Sequence, residues 1–179
     1  MKRFSAAVFL FLFCTTTQAA NIVSSPMVLV DVSEQKLYLL EGGKILKTYP
    51  VSTSKFGVGN RQNSGKTPLG WHRVAKKIGA GAALNTIFRN RINTGKFFIS
   101  AASGDDLVTT RILWLEGMEP GVNKGKRIDS FKRLIYIHGT AEENLIGTPA
   151  SHGCIRMKNK DVVELFDKLQ EKSSVLIRA

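Results

Sequence analysis

The run MVLVDVSEQKLYLLEGGKILKTYPVS, residues 27–52, decides the fold class first. It reads as three strands, 28–32, 37–41 and 44–51, with Gly42-Gly43 between the second and third. A two-residue hairpin turn needs positive φ at its central positions, which glycine reaches without steric cost, so this pair predicts a tight antiparallel connection. In the third strand Ile45, Tyr49 and Val51 share one face with Lys47, while Leu46 and Thr48 point the other way. That period of two is the mark of a sheet with one packed side.

Working outward, SKFGVGNRQNSGKTPLG (54–70) is loaded with Gly, Ser and Asn and predicts a loop before a strand at 71–74. From Lys76 to Asp106 no periodicity survives GAGAAL, RNRINTG and SAASGDD, and the stretch reads as irregular. Branched and aromatic residues restore strand character at 109–117 and in RLIYIHG, 133–139. A loop of Gly, Thr, Pro and Asn follows at 140–150. Asn159 can then cap a helix over 160–170, with Val162, Leu165, Phe166 and Leu169 on one stripe. A last strand is expected at 174–177. Many strands and one convincing helix predict a mainly β chain, a small antiparallel sandwich or barrel-like sheet with its one main helix after the loop.

The chain opens with Met1-Lys2-Arg3, an apolar run from Ala6 to Cys14, and small residues at Ala19-Ala20, the layout of a secretory signal peptide. Residues 1–20 are therefore expected to be a signal peptide and 21–179 a single exported domain without a transmembrane anchor. Bulky Phe13 before Cys14 argues against lipid attachment. The formal net charge is +12, and loss of Lys2 and Arg3 with the leader leaves +10. So basic a protein outside the cytoplasm is suited to anionic wall polymer or lipid rather than nucleic acid, although scattered lysines also simply confer solubility. Cys14 leaves with the leader, so Cys154 is the lone thiol of the exported chain and has no intramolecular disulfide partner.

That thiol stands in ASHGCIRM, 150–157. Acyl transfer by cysteine needs a base to take the thiol proton and donors for the developing oxyanion. His138 ends the strand LIYIH, and Gly139 after it permits a sharp turn. His152 stands two residues before the cysteine, on the same side of an extended segment. Either can serve as base, whereas His72, far back in a strand, suits an ordinary polar role. Gly153 removes a Cβ beside the nucleophile, and the amides of Gly153 and Cys154 can point at an oxyanion. Arg156 offers a planar fork that matches a substrate carboxylate, or a surface ion pair. Zinc held by His138, His152 and Cys154 is the competing chemistry, but the standard ligand spacings are missing.

IHGT, then SHGCIRM with twelve residues between His138 and Ser151, then NKDVVELFDKL, resembles the L,D-transpeptidase (YkuD-type) catalytic domain. The likeness extends to DVSEQKLYLLEGGKILKTYPVST and KTPLG and is weakest between Lys76 and Arg133. It implies Cys154 as nucleophile, His138 as general base oriented by the Gly139 carbonyl, and His152 as a supporting histidine. It also implies an oxyanion hole at Gly153 and Cys154, with Ser151 bracing the motif and Arg156 holding a substrate carboxylate. The implied partner is a peptidoglycan stem peptide in the periplasm, attacked at its third residue with loss of terminal D-alanine. No metal or organic cofactor is implied, and a monomer is expected.

Two other functions share these residues. An L,D-carboxypeptidase or endopeptidase would form the same thioester and let water release it. A non-catalytic wall-binding module would use the basic surface and leave the thiol incidental.

Overall fold

A computed structural model of the chain describes residues 25–99 and 106–179. The predicted signal segment lies outside the described residues. Strands β1 (Met27–Asp31), β2 (Lys36–Glu41) and β3 (Lys44–Pro50) form the antiparallel meander expected of the opening run, with Gly42 and Gly43 at φ +57° and +75° in the turn. The other strands are β4 (Gly70–Ile78), β5 (Thr86–Arg89), β6 (Ile92–Phe97), β7 (Val108–Gly117), β8 (Tyr136–Gly139), β9 (Ile155–Met157) and β10 (Ser174–Arg178). They make one mixed sheet in the order β3-β2-β1-β10-β4-β7-β5-β6, with β8 joining β7 to β9.

The sheet bends back toward closure. Ser52, just past β3, and Arg156 in β9 exchange both backbone N–H···O bonds at 2.9 Å, which joins the end of the opening meander to the strand of the cysteine motif. The mainly β, barrel-like class with one helix is thus the class observed. It departs from a purely antiparallel sheet at two pairings, β1 with β10 and β8 with β9, which are parallel. A parallel neighbour needs a crossover long enough to return the chain. For β8 and β9 the loop over 140–154 supplies it.

Alternation along the strands divides the interior in two. Val28, Val30, Leu37, Leu39, Leu113 and Leu115 face a main core with Ile137, Ile155 and Met157, and helix α1 (Asn159–Lys168) packs Val162, Leu165 and Phe166 into it. Each such side chain removed from water is worth about 2 kcal/mol. On the opposite face of β7 and β8, Ile112, Trp114 and Tyr136 form a smaller cluster with Phe88, and Cys154 packs at its edge.

Four local expectations are corrected. The stretch read as irregular contains the β5–β6 hairpin, whose turn residues Asn90 and Arg91 have φ of +50° and +68°. That is the glycine-favouring geometry made without glycine, so the usual turn signal is missing. Residues 133–135 are not strand. Arg133 N–H donates to the Asp129 carbonyl at 2.9 Å and Leu134 takes φ +59°, forming a turn that delivers the chain into β8. Gly139 does not turn sharply but stays in β8, where a Cβ would come within 2.4 Å of Asn159 Oδ1 and 2.9 Å of the Thr109 carbonyl. Its role is close approach. Finally, Asn159 does not cap the helix; Lys158 holds the N-cap position, and the Asn159 amide donates to Glu143 Oε1 at 2.6 Å.

Asn159 is instead a buried hub. Its Oδ1 accepts from the hydroxyls of Thr109, at 2.7 Å, and Thr110, and its Nδ2 donates to the Thr140 carbonyl and Glu143 Oε1, both at 2.7 Å. Every polar atom of the amide is satisfied, as burial demands. The hub ties the start of α1 to β7 and to the end of β8, directly behind His138.

Candidate active site

Parallel pairing of β8 with β9 sets Ile137 against Ile155, His138 against Arg156 and Gly139 against Met157. Ile137, Ile155 and Met157 fill the main core, so His138 and Arg156 are turned to the opposite face. Tyr136 and Cys154, two residues before them, lie on that same side. The Tyr136 ring stands edge-on to His138 with centroids 6.5 Å apart, and the Tyr136 amide donates to Cys154 Sγ at 3.4 Å. The thiol in turn donates to the Leu134 carbonyl at 3.5 Å. Candidate nucleophile and candidate base are therefore diagonal neighbours, Cys154 just ahead of β9 and His138 within β8, although no hydrogen bond joins them directly among the described contacts. Such bonds commonly tighten only when substrate is bound.

His138 is buried, and its Nδ1 lies 2.7 Å from the Gly139 carbonyl. A carbonyl only accepts, so Nδ1 carries the hydrogen and Nε2 keeps its lone pair. Burial lowers the His138 pKa against the pull of the nearby Asp106 charge. Burial also pushes the Cys154 thiol up to about 12, against the stabilising Tyr136 amide. The resting pair at neutral pH is thus a thiol and a neutral imidazole. A proton must move during attack rather than before it.

The turn that carries the cysteine is braced from several sides. Ser151 is fully buried; its hydroxyl donates to the Cys154 carbonyl at 2.6 Å and accepts from the Gly153 amide at 3.2 Å. Thr67 Oγ1 donates to the Gly153 carbonyl at 3.1 Å, so the 54–70 loop presses directly on the turn. Gly153 has φ +127°, and a Cβ there would meet the Lys66 carbonyl at 3.3 Å, so both backbone and space demand glycine. One expectation changes here. The Gly153 amide is already donated to Ser151, which leaves the Cys154 amide as the freer oxyanion donor.

Arg156 departs further from expectation. It is 1% exposed, and its guanidinium is held by two carboxylates, Asp106 Oδ1 at 2.6 Å and Glu142 Oε2 at 2.9 Å. A fork so occupied is a strut inside the protein, and a substrate carboxylate would have to displace one of these partners. Asp106 also takes His152 Nδ1 at 2.8 Å. Burial alone would raise the Asp106 pKa, but bonds from Arg156 and His152 outweigh it and hold the carboxyl below its usual range. His152 itself is half exposed and leans on the Phe56 ring at 5.8 Å. His72 is buried between the Gly70 carbonyl and Ser130 Oγ, each 2.9 Å away, the ordinary role expected of it. Among the described residues no three His, Cys, Asp or Glu side chains are arranged to hold a metal ion.

Asp106, Glu142, Tyr136 and Leu134 were not singled out from the sequence. Asp106 ends a stretch without pattern and Glu142 sits in a polar loop, so nothing local marks either as a partner of Arg156.

Comparison with known proteins bears on this geometry. The family model described as YkuD, the L,D-transpeptidase catalytic domain, matches residues 25–177. A Bacillus subtilis (strain 168) protein named "Putative L,D-transpeptidase YqjB" is 28% identical over 178 residues, 99% of this chain and 85% of its own. Solved structures share the fold at lower identity. The L,D-transpeptidase from Mycobacterium smegmatis superposes with a TM-score of 0.53 at 14% identity, covering 87% of this chain and 59% of that one. An Enterococcus faecium L,D-transpeptidase gives 0.53 at 16%, covering 87% and 50%. The chain thus spans between half and about three fifths of the length of these solved proteins.

Proposed function

The chain belongs to the family of L,D-transpeptidase catalytic domains, and from that premise we propose an exported, cysteine-dependent acyltransferase acting on peptidoglycan tetrapeptide stems. The observation that carries this reading is the placing of Cys154 and His138 on one face of paired strands, with the Gly139 carbonyl on His138 Nδ1. In this reading Cys154 Sγ attacks the carbonyl carbon of the third stem residue as its proton passes to His138 Nε2. The Cys154 amide stabilises the oxyanion. The tetrahedral intermediate collapses with cleavage of the bond to the terminal D-alanine, whose nitrogen takes the proton from His138. The acyl group remains on sulfur as a thioester. An amine from a second stem or a free D-amino acid then attacks, gives its proton to His138, and regenerates the thiol.

His152 and Ser151 act as supports in this scheme, His152 through Asp106 and Ser151 through the cysteine turn. Export to the periplasm is proposed on the leader-like residues 1–20 and the basic charge. No helix among the described residues is long and apolar enough to cross a membrane.

Incubation with purified disaccharide tetrapeptide, followed by mass spectrometry of the products, tests the reaction. Dimers, or termini exchanged for an added D-amino acid, are expected. Shortened monomers alone would identify water as the acceptor, and unchanged tetrapeptide would favour a binding module.

A further inference from the structure

Because Arg156 is buried and its two terminal nitrogens are already held by Asp106 and Glu142, recognition of an acidic substrate falls to other cations of the site. We propose that the cleft beside the thiol, between the 54–70 loop and the turn leading into β8, is a carboxylate subsite built on Arg133 and Lys132. This rests on the reading of the site as an acyl-transfer centre and names how that centre holds its donor.

The cleft is a cavity of about 330 Å³, lined by Gln62, Asn63, Lys132, Arg133, Leu134 and His152 among others. It reaches the nucleophile through Leu134. Leu134, whose carbonyl accepts from Cys154 Sγ, forms part of its wall, and the Arg133 charge is close enough to favour the Cys154 thiolate. Two cations and no carboxylate are among its lining residues. The state of Arg133 contrasts with that of Arg156. Its guanidinium donates to the Gly59 carbonyl at 3.1 Å and the Lys66 carbonyl at 2.5 Å. These are neutral acceptors, so they fix the planar group without cancelling its charge. Among the described residues neither Arg133 nor Lys132 makes an ion pair within 4.0 Å. Side-chain amides of Gln62 and Asn63 add donors at the same wall. A partly enclosed, singly signed cleft focuses its field, so a carboxylate near the scissile carbonyl gains more here than on open surface.

Such a carboxylate has two sources in a tetrapeptide donor: the terminal one, and one on the stem before the scissile bond. Lys132→Gln, Arg133→Gln and the charge-retaining Arg133→Lys are compared on three donors: the native tetrapeptide, one amidated at its C-terminus, and one amidated on the stem. On the native donor kcat/KM is expected to fall on the order of tenfold for each Gln variant, chiefly through a raised KM, with partial rescue by Arg133→Lys. The amidated donor that has lost the recognised carboxylate is bound weakly by the parent protein and loses nothing further in the variants, which identifies the source. Equal losses on all three donors, or unchanged KM on the native one, would overturn the subsite. Because Arg133 also anchors two loop carbonyls, exposed Lys132→Gln keeps the test decisive if Arg133→Gln fails to fold. Equilibrium binding of the same donors to Cys154→Ala separates this inference from the reaction. Binding that falls with either substitution upholds the subsite even if the parent protein turns over no tetrapeptide. No binding, or binding indifferent to charge, overturns it.

Discussion

Arg156 departs furthest from what its motif suggests. Its short distance from Cys154 in sequence and its planar fork suggest a substrate clamp, and that much is legible from the motif. What the motif cannot convey is which acids fold back onto it, because Asp106 and Glu142 lie in stretches with no pattern and meet Arg156 only through tertiary structure. Removing one partner of a buried charge cluster leaves the others uncompensated, so Arg156→Ala should destabilise the protein by about 3–5 kcal/mol in urea unfolding. A variant as stable as the parent, with only a raised KM, would mean the guanidinium is free for substrate after all. Cys154 and His138, by contrast, stand out as candidates in the sequence because their proposed chemistry is local: a thiol after glycine, and a histidine closing a strand.

At the scale of elements, the opening meander, β7, β10 and the helix could be read directly, since each carries a clean period or a glycine turn. The β5–β6 hairpin could not, because Asn90 and Arg91 adopt positive φ without the glycine that would have announced it. The strand expected over 133–139 begins only at Tyr136, because Arg133, Leu134 and Ile135 have strand-like composition while the Asp129 carbonyl captures the backbone into a turn. Strand β4 runs well past the expected 71–74, to Ile78, and carries the buried His72. Burial lowers His72 from an ordinary 6.5 to about 4. Above pH 6.5 neither folded nor unfolded chain is protonated there, so this contribution to stability is complete. As pH falls, the unfolded chain takes the proton first, and roughly 3 kcal/mol is lost on the way to pH 4. Urea midpoints measured from pH 7 to pH 4 should decline accordingly; a flat profile would contradict the buried, neutral assignment.

For the whole molecule, the decisive arrangement is a sheet that nearly closes and so acquires two different faces. One face, sealed by α1, supplies the core; the other holds Cys154 and His138 against Tyr136 and Trp114. The Ser52 to Arg156 backbone pair that draws the sheet round also fixes β9, the strand that Cys154 immediately precedes. The proposed reaction stands or falls on Cys154 attacking and His138 receiving its proton. Intact-protein mass spectrometry after brief exposure to disaccharide tetrapeptide tests it most directly. The predicted result is a tetrapeptide-derived adduct lacking one alanine, mapped to Cys154, absent in Cys154→Ala, and formed on the order of a hundredfold more slowly in His138→Ala. An adduct that forms without Cys154, or one slowed far more by His152→Ala than by His138→Ala, would contradict it.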